Sequence, residues 1–302
     1  MERTELIKHF STFQRIKVFS LDKDVHENYL STFIWQVSFN RPEKKNAIDK
    51  PFWKELKSTF EALGQSPDCR CILLTNEGNV FSAGIDLKFG MQYFSPGNDN
   101  ESTEFARKSV FLKGYVNFLQ ECVNSIEKCS KPVIACIYGG CLGAGVDIIT
   151  ACDIRFCSQN SYFCVKEIDI GLAADLGTLQ RLPRIVNNHS WVREVCYTAR
   201  NILADEALLV GLISSIFKSR KELYDEATKL ALTIASKSPI AIYGTKYALN
   251  YSRDHTVQEG LDFQALWNST MLQSNVNNFH LEKQFFQYSI YPYFESGHDG
   301  CS

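Results

Sequence analysis

Histidine is scarce in this chain, six in 302 residues. His9, His26, His189, His255, His280 and His298 all lie among polar residues, which places them at the surface. There is no His-Glu-x-x-His to seat a metal and no Gly-x-Ser-x-Gly elbow for a Ser-His-Asp triad. An excess of one charge is missing too: 32 Lys and Arg stand against 34 Asp and Glu, a formal net charge of -2. With no basic stripe, nucleic acid and acidic membranes are poor partners, and an RNA-binding role has no support. No apolar run reaches the roughly 18 to 20 residues of a membrane span. The longest, Pro132 to Val146, is 15 residues with four glycines and stops at Asp147, so it reads as buried core. A phosphate loop is excluded, because no Gly-Lys-Ser/Thr follows a glycine run, and no Gly-x-Gly-x-x-Gly opens an early βαβ unit. The first 20 residues mix Arg3, Lys8, Arg15 and Lys17 with Glu2 and Glu5, a poor transit peptide. Gly300-Cys301-Ser302 is no peroxisomal tripeptide.

Cysteine is plentiful, but its spacing argues against disulfides and zinc. The 11 residues are odd in number, most lie in apolar stretches, no Cys-x-x-Cys occurs, and Cys69-x-Cys71 has no histidine nearby. They read as core thiols in a reducing compartment. Hydrophobic residues at 45% and charged residues at 22% are ordinary for a soluble globular protein, and the length allows one or two domains.

Phe33, Trp35, Val37 and Phe39 alternate with Ile34, Gln36 and Ser38, which predicts a half-buried strand, with Ile16 to Leu21 as its hairpin partner. Asp49 caps a helix carrying Phe52, Leu56, Phe60 and Leu63, and Gly64 should stop it. Cys71 to Thr75 is a short buried strand, and Asn76 to Asn100 is loop-rich. Phe111, Tyr115, Phe118, Leu119, Cys122 and Ile126 mark a long amphipathic helix. Strands fit Val133 to Ile137, Ile154 to Cys157 and Tyr162 to Val165, and a helix should start near Gly145. From about Asn187 the pattern is helical, with one strand near Ile213 to Phe217 and helices from Pro239 toward Arg253 and over Val257 to Met271. Strands alternating with helices imply an α/β protein with a parallel sheet.

Three features can carry chemistry. Val80-Phe81-Ser82-Ala83-Gly84-Ile85-Asp86-Leu87 follows a buried strand, and so does Gly139-Gly140-Cys141-Leu142-Gly143-Ala144-Gly145-Val146-Asp147. Two glycine turns side by side can aim backbone N–H groups at one carbonyl oxygen as an oxyanion hole. Either turn alone is equally well a tight turn. The third feature is acid in apolar company: Asp147 between Val146 and Ile148, Glu167 before Ile168, and Asp175 in Gly171-Leu172-Ala173-Ala174-Asp175-Leu176-Gly177. Burial raises a carboxyl pKa, as acid/base work at neutral pH requires. A helix cap or a salt bridge to Arg155 or Arg181 accounts for each singly, and Asp153 and Asp169 are similar in kind. Lys44 and Lys45 can meet phosphates or simply be solvated.

Taken in order, these segments resemble the crotonase (enoyl-CoA hydratase/isomerase) superfamily. The matching motifs are Asn40 through Ala47, Phe81 through Leu87, Lys131-Pro132-Val133-Ile134-Ala135, Gly139 through Asp147, Ala151-Cys152-Asp153-Ile154-Arg155 and Gly177-Thr178-Leu179-Gln180-Arg181-Leu182-Pro183. The likeness spans roughly residues 30 to 275. It implies a crotonase-like spiral of ββα repeats with a C-terminal helical trimerisation region. On that basis residues 1–30 are an N-terminal extension, 31–200 the core domain and 201–302 the helical region, in a homotrimer or homohexamer. It implies a fatty acyl-CoA thioester bound by Lys45, Ala47, Ala83, Gly84, Asp86 and Gly143, its oxygen held by the N–H groups of Ile85 and Ala144. The family usually has glycine where Ala144 stands; the donor survives, but the methyl can tighten the pocket. Coenzyme A belongs to the substrate, so no cofactor and no metal are expected.

Within the family, hydratases carry glutamates at the positions of Asp147 and Glu167 and no acid at Asp175. The trio here is similar to the Δ3,5-Δ2,4-dienoyl-CoA isomerases, as is Tyr251-Ser252-Arg253-Asp254-His255. That likeness implies Glu167 as base at C2, Asp175 as acid at C6, and Asp147 as proton store or orienting group. The alternatives are an enoyl-CoA hydratase, which Asp147 disfavours because its shorter side chain retracts one of two water-holding groups, and a catalytically silent scaffold. The family role points to the mitochondrial matrix or peroxisome, chain length is assigned to loop 88–105, and the tail with Phe285, Phe286, Tyr288, Tyr291, Tyr293 and Phe294 either packs on a neighbouring subunit or is core.

Overall fold

Val18 faces Val37 across an antiparallel hairpin. The computed structural model describes residues 2–21, 29–94 and 105–273, so the aromatic tail and Cys301 lie outside the described residues. Ten strands occur among them: β1 (Ile16–Ser20), β2 (Ile34–Phe39), β3 (Cys71–Asn76), β4 (Val80–Ser82), β5 (Val133–Ile137), β6 (Gly140–Leu142), β7 (Ile154–Ser158), β8 (Tyr162–Cys164), β9 (Ile202–Leu203) and β10 (Ser215–Phe217). β1, β2, β3, β5, β7 and β10 form a six-stranded sheet in that order, while β4, β6, β8 and β9 form a second sheet of four. From β3 to β8 the chain gives one strand to each sheet in turn, β3 then β4, β5 then β6, β7 then β8. A helix follows each of the first two pairs, Leu87–Phe94 and then Phe105–Lys128 after β4, and Ala144–Thr150 after β6.

The six-stranded sheet is parallel apart from β1, and its central strands read as unbroken apolar runs because both faces are covered. Ile34, Cys71, Leu73, Ile134 and Cys136 point to one face, where Leu223, Ala227, Ala231 and Ala235 of the helix Arg220–Ala235 cover them. Trp35, Val37, Ile72, Leu74, Val133 and Ala135 point to the other face. There they meet Phe52, Leu56 and Phe60 of the helix Lys50–Gln65, and Leu119, Cys122 and Ile126 of the helix Phe105–Lys128. Leu6 and Phe10 from the helix Arg3–Phe10 join the same core.

Asp49 caps the helix Lys50–Gln65, its Oδ1 accepting the Phe52 N–H at 3.1 Å. The helix does not stop at Gly64 but runs on to Gln65. The cysteines from Cys69 to Cys164 are buried, and Cys196 is half-buried. Burial pushes the Cys122 and Cys157 thiols up to about 12, which leaves them inert. His9 is not a surface residue: it is half-buried, with Nε2 2.8 Å from Ser58 Oγ.

The chain divides into two compact units, residues 1–236 and 237–302. In the second, the helices Pro239–Ser252 and Val257–Met271 close on each other through Tyr243, Tyr247 and Tyr251 against Phe263 and Trp267. Gly244 lets Trp267 approach: a Cβ there would stand 2.5 Å from Trp267 Nε1. No helix of the described residues is long and apolar enough to cross a membrane.

Candidate active site

β4, β6 and β8 are adjacent and parallel, so the segments leaving their C-terminal ends meet. β4 leads into Ala83-Gly84-Ile85, β6 into Gly143-Ala144, and β8 into Glu167. The two glycine turns lie against each other. A Cβ on Gly84 would stand 3.0 Å from Leu142 O and 3.5 Å from Ala144 N. Gly84 has φ +85° and Gly143 has φ +50°, backbone that glycine adopts at little cost.

Ile85 bridges Ile48 in parallel: Ile48 N–H donates to Gly84 O at 2.8 Å and Asp86 N–H to Ile48 O at 2.9 Å. That pattern turns the N–H of Ile85 away from Ile48. Ala144 opens the helix Ala144–Thr150, where the first N–H groups have no partner within the helix. Among the described residues, no protein acceptor holds the N–H of Ile85 or of Ala144.

Both turns border a cavity of about 340 Å³. Its far wall is the helix Phe105–Lys128, which contributes Leu112, Tyr115, Val116 and Leu119. Glu167 and Asp175 line it as well, with Leu172 and Leu176 beside them. Glu167 reaches the Gly143 turn, where a Cβ would be 3.3 Å from its Oε1. Its Oε2 is buried without a hydrogen-bond partner. Burial first, then the neighbouring Asp147 charge, raises the Glu167 pKa to about 7. Asp175 is exposed to the cavity, and partial desolvation by the surrounding walls still raises its pKa.

Asp147 lies behind this wall, 1% exposed. Its Oδ1 accepts the Thr178 N–H at 2.6 Å, so it serves the N-terminus of the helix Thr178–Ile185. Its Oδ2 has no partner. Burial raises Asp147 to about 6, against the lowering effect of the Thr178 hydrogen bonding. The salt-bridge alternatives do not form. Arg155 donates to the carbonyls of Leu212 and Cys152, both at 2.7 Å, and Arg181 pairs with Glu127 at 2.9 Å. Asp153 is structural, accepting the Val133 N–H at 2.7 Å, and Asp169 pairs with Lys166.

Residues 30–296 match the Enoyl-CoA hydratase/isomerase family. The chain belongs to this family. It is 47% identical over 241 residues to the mitochondrial Delta(3,5)-Delta(2,4)-dienoyl-CoA isomerase of Homo sapiens, covering 80% of this chain and 73% of that protein. To the peroxisomal enzyme of the same name from Arabidopsis thaliana it is 42% identical over 245 residues, 80% and 86% of the two chains. The solved enoyl-CoA hydratase of Bacillus anthracis superposes with a TM-score of 0.75 at 25% identity, covering 91% and 96% of the two chains. The Shewanella pealeana structure, at a TM-score of 0.78 and 20% identity over 94% and 97%, shares the fold. The alternation between two sheets is therefore the crotonase fold.

Of the residues that the family resemblance places at the substrate, Ala83, Gly84 and Gly143 line the cavity and Lys45, Ala47 and Asp86 do not. Lys45 is exposed in left-handed backbone at φ 53°, its carbonyl accepting the Ala83 N–H at 2.9 Å. The Ala47 carbonyl accepts from Arg41 at 2.9 Å. Asp86 is engaged by Arg41 at 2.7 Å and caps the helix Leu87–Phe94 through the Lys88 N–H at 3.0 Å. Burial alone would raise Asp86, but the Arg41 guanidinium and two backbone N–H groups hold it below the usual carboxylate range. The sequence reading assigned the acyl wall to loop 88–105, of which 95–104 lie outside the described residues, and missed the wall formed by the helix Phe105–Lys128. Tyr115 and Leu119, one turn apart, were the available signal, but that spacing reads equally as core.

Proposed function

We propose that this family member is a Δ3,5-Δ2,4-dienoyl-CoA isomerase of fatty acid β-oxidation. The observation that carries the reading is one apolar cavity onto which Glu167 and Asp175 both open, beside the two unclaimed N–H groups of Ile85 and Ala144.

The thioester acidifies the C2 proton of a 3,5-dienoyl substrate, and Glu167 removes it. The electron pair spreads onto the thioester oxygen, where Ile85 and Ala144 donate hydrogen bonds, and along the diene to C6. Asp175, in its protonated form, delivers a proton at C6, leaving double bonds at C2 and C4. C2 and C6 are four bonds apart, so two carboxyls in opposite protonation states suit the task better than one. Asp147 orients the Asp175 turn and holds the local proton balance. This proton transfer calls for neither a metal nor a redox cofactor, coenzyme A being part of the substrate.

Hydration is the weaker reading for a specific reason. Asp147 commits one oxygen to Thr178 and does not line the cavity, so it is not placed to share a water there with Glu167. The exposed Leu249, Val257, Leu261 and Leu266 support burial of the second unit against further copies, a homotrimer or homohexamer. The names of the relatives favour the mitochondrion or the peroxisome.

Purified protein is given 3,5-octadienoyl-CoA and, separately, 2-octenoyl-CoA. Near-ultraviolet absorbance rises when the diene conjugates with the thioester and falls when an enoyl bond is hydrated. A rise with the first and little change with the second is expected. A fall with the second and no change with the first would overturn the reading in favour of a hydratase.

A further inference from the structure

Asp175 has a carboxylate that takes no hydrogen bond from another described residue, so its place in the cavity is set through its backbone. That backbone is pinned. Gln120 Nε2 donates to the Asp175 carbonyl at 2.7 Å. Two residues on, Gly177 leaves no room for a side chain, because Arg181 Nη1 would be 1.9 Å from its Cβ. Arg181 is drawn to the same helix as Gln120: Nη2 donates to Asn124 Oδ1 at 2.6 Å and to Glu127 Oε2 at 2.9 Å. Gln120, Asn124 and Glu127 follow one another at helical spacing, so a single stripe of the helix Phe105–Lys128 grips the turn. The adjoining face of that helix, with Tyr115, Val116 and Leu119, forms the apolar wall of the cavity.

Building on the isomerase reading, we propose that Gln120 is a positioning residue for proton delivery at C6. With Asn124 and Glu127 holding Arg181, it fixes the Asp175 turn to the helix that walls the acyl chain. The reach of Asp175 along the chain is thereby fixed relative to Glu167, which is held by a different element at the end of β8. Gln120 touches neither substrate nor reacting atoms. Its loss impairs the second proton transfer and leaves the first intact.

The test separates the two transfers in deuterium oxide. Exchange at C2 of recovered 3,5-octadienoyl-CoA reports Glu167, and formation of the 2,4-diene reports Asp175. In Gln120→Leu, product formation should fall about tenfold or more, since small misplacements of a catalytic group cost up to ~100-fold, while C2 exchange and KM stay within about twofold. Gln120→Lys keeps a donor, one bond further out on a flexible stem, and should restore most of the rate. An unchanged ratio of exchange to product in Gln120→Leu overturns the proposal, whether or not the overall rate falls. If the wild-type chain itself does not isomerise the diene, the functional reading fails instead. Amide hydrogen exchange across residues 172–177 then still reports the clamp: faster exchange in Gln120→Leu supports it and unchanged exchange overturns it.

Discussion

Thr178 donates its backbone N–H to Asp147 Oδ1 at 2.6 Å, so a buried acid both caps a helix and borders the reaction centre. Burial favours the neutral acid, and folded Asp147 keeps its proton up to about pH 6 against a usual value of 3.8. Its contribution to stability is therefore largest at low pH and falls as pH rises through that window. A shift of about two units amounts to ~3 kcal/mol. Asp147→Asn can still accept the Thr178 N–H and carries no charge. It should melt higher than wild type at pH 8, with the gap closing near pH 4, and isomerise poorly. Thermal melts at the two pH values check this; a variant less stable than wild type at pH 8 would contradict it.

Glu167 acts as a base only when ionised, and its pKa is raised to about 7. The kcat/KM for the diene should therefore climb with pH through about 7. Asp175 must be protonated, and desolvation raises its pKa, which favours that form. A pH–rate profile reads the Glu167 limb, and Glu167→Gln should remove the reaction. A rate that fell between about pH 5.5 and 7 would refute the assignment.

The two proposed oxyanion donors can be separated by chemistry at Ala144. Proline is tolerated at the first position of a helix, and Ala144 opens the helix Ala144–Thr150. Ala144→Pro removes one N–H and should lower kcat about 100- to 1000-fold. Ala144→Gly keeps the donor and should stay within a few-fold of wild type. Steady-state kinetics of the two variants give the comparison.

Gly143 combines φ +50° with a would-be Cβ 3.3 Å from Glu167 Oε1. Gly143→Ala should lose about 1–3 kcal/mol of stability from backbone strain. It should also lose activity beyond that, because the methyl displaces the base. Denaturant unfolding alongside kcat distinguishes the two effects.

Arg41 ties three segments together, with Nη1 2.7 Å from Asp86, 3.5 Å from Asp49 and 2.9 Å from the Ala47 carbonyl. Arg41→Ala takes the cation from partly buried Asp86 and leaves Asp49 with Arg15 alone, at a cost of about 3 kcal/mol. Asp86 is depressed in the folded state, so its share is present at neutral pH and lost as the pH falls. The difference in melting temperature between the variant and wild type should therefore shrink in acid.

The long elements were legible because their periodicity is strong: the alternation in β2, the unbroken apolar runs of β3 and β5, and the stripe Phe52-Leu56-Phe60. What stayed hidden is what shapes the site. β4 and β6 are three residues each, too short for alternation to register, and β6 opens on a glycine. The apolar wall around Tyr115 carries the same spacing as core. The carboxylates stood out as unusual, but spacing along the chain could not tell that Glu167 and Asp175 face the cavity while Asp147 turns to Thr178. Lys45, Ala47 and Asp86 came with the family pattern, and here the Asp86 side chain is committed to Arg41.

β1 covers the outer edge of β2, where the parallel part of the sheet would otherwise end on an apolar strand. The family match begins only at residue 30, after that hairpin partner. A chain shortened to the matched segment would leave β2 with a row of bare N–H and C=O groups flanked by Trp35, Val37 and Phe39. Such an edge recruits strands from other molecules. The first 20 residues thus act as a guard against self-association, and their removal should show as precipitation on expression before any loss of catalysis can be measured.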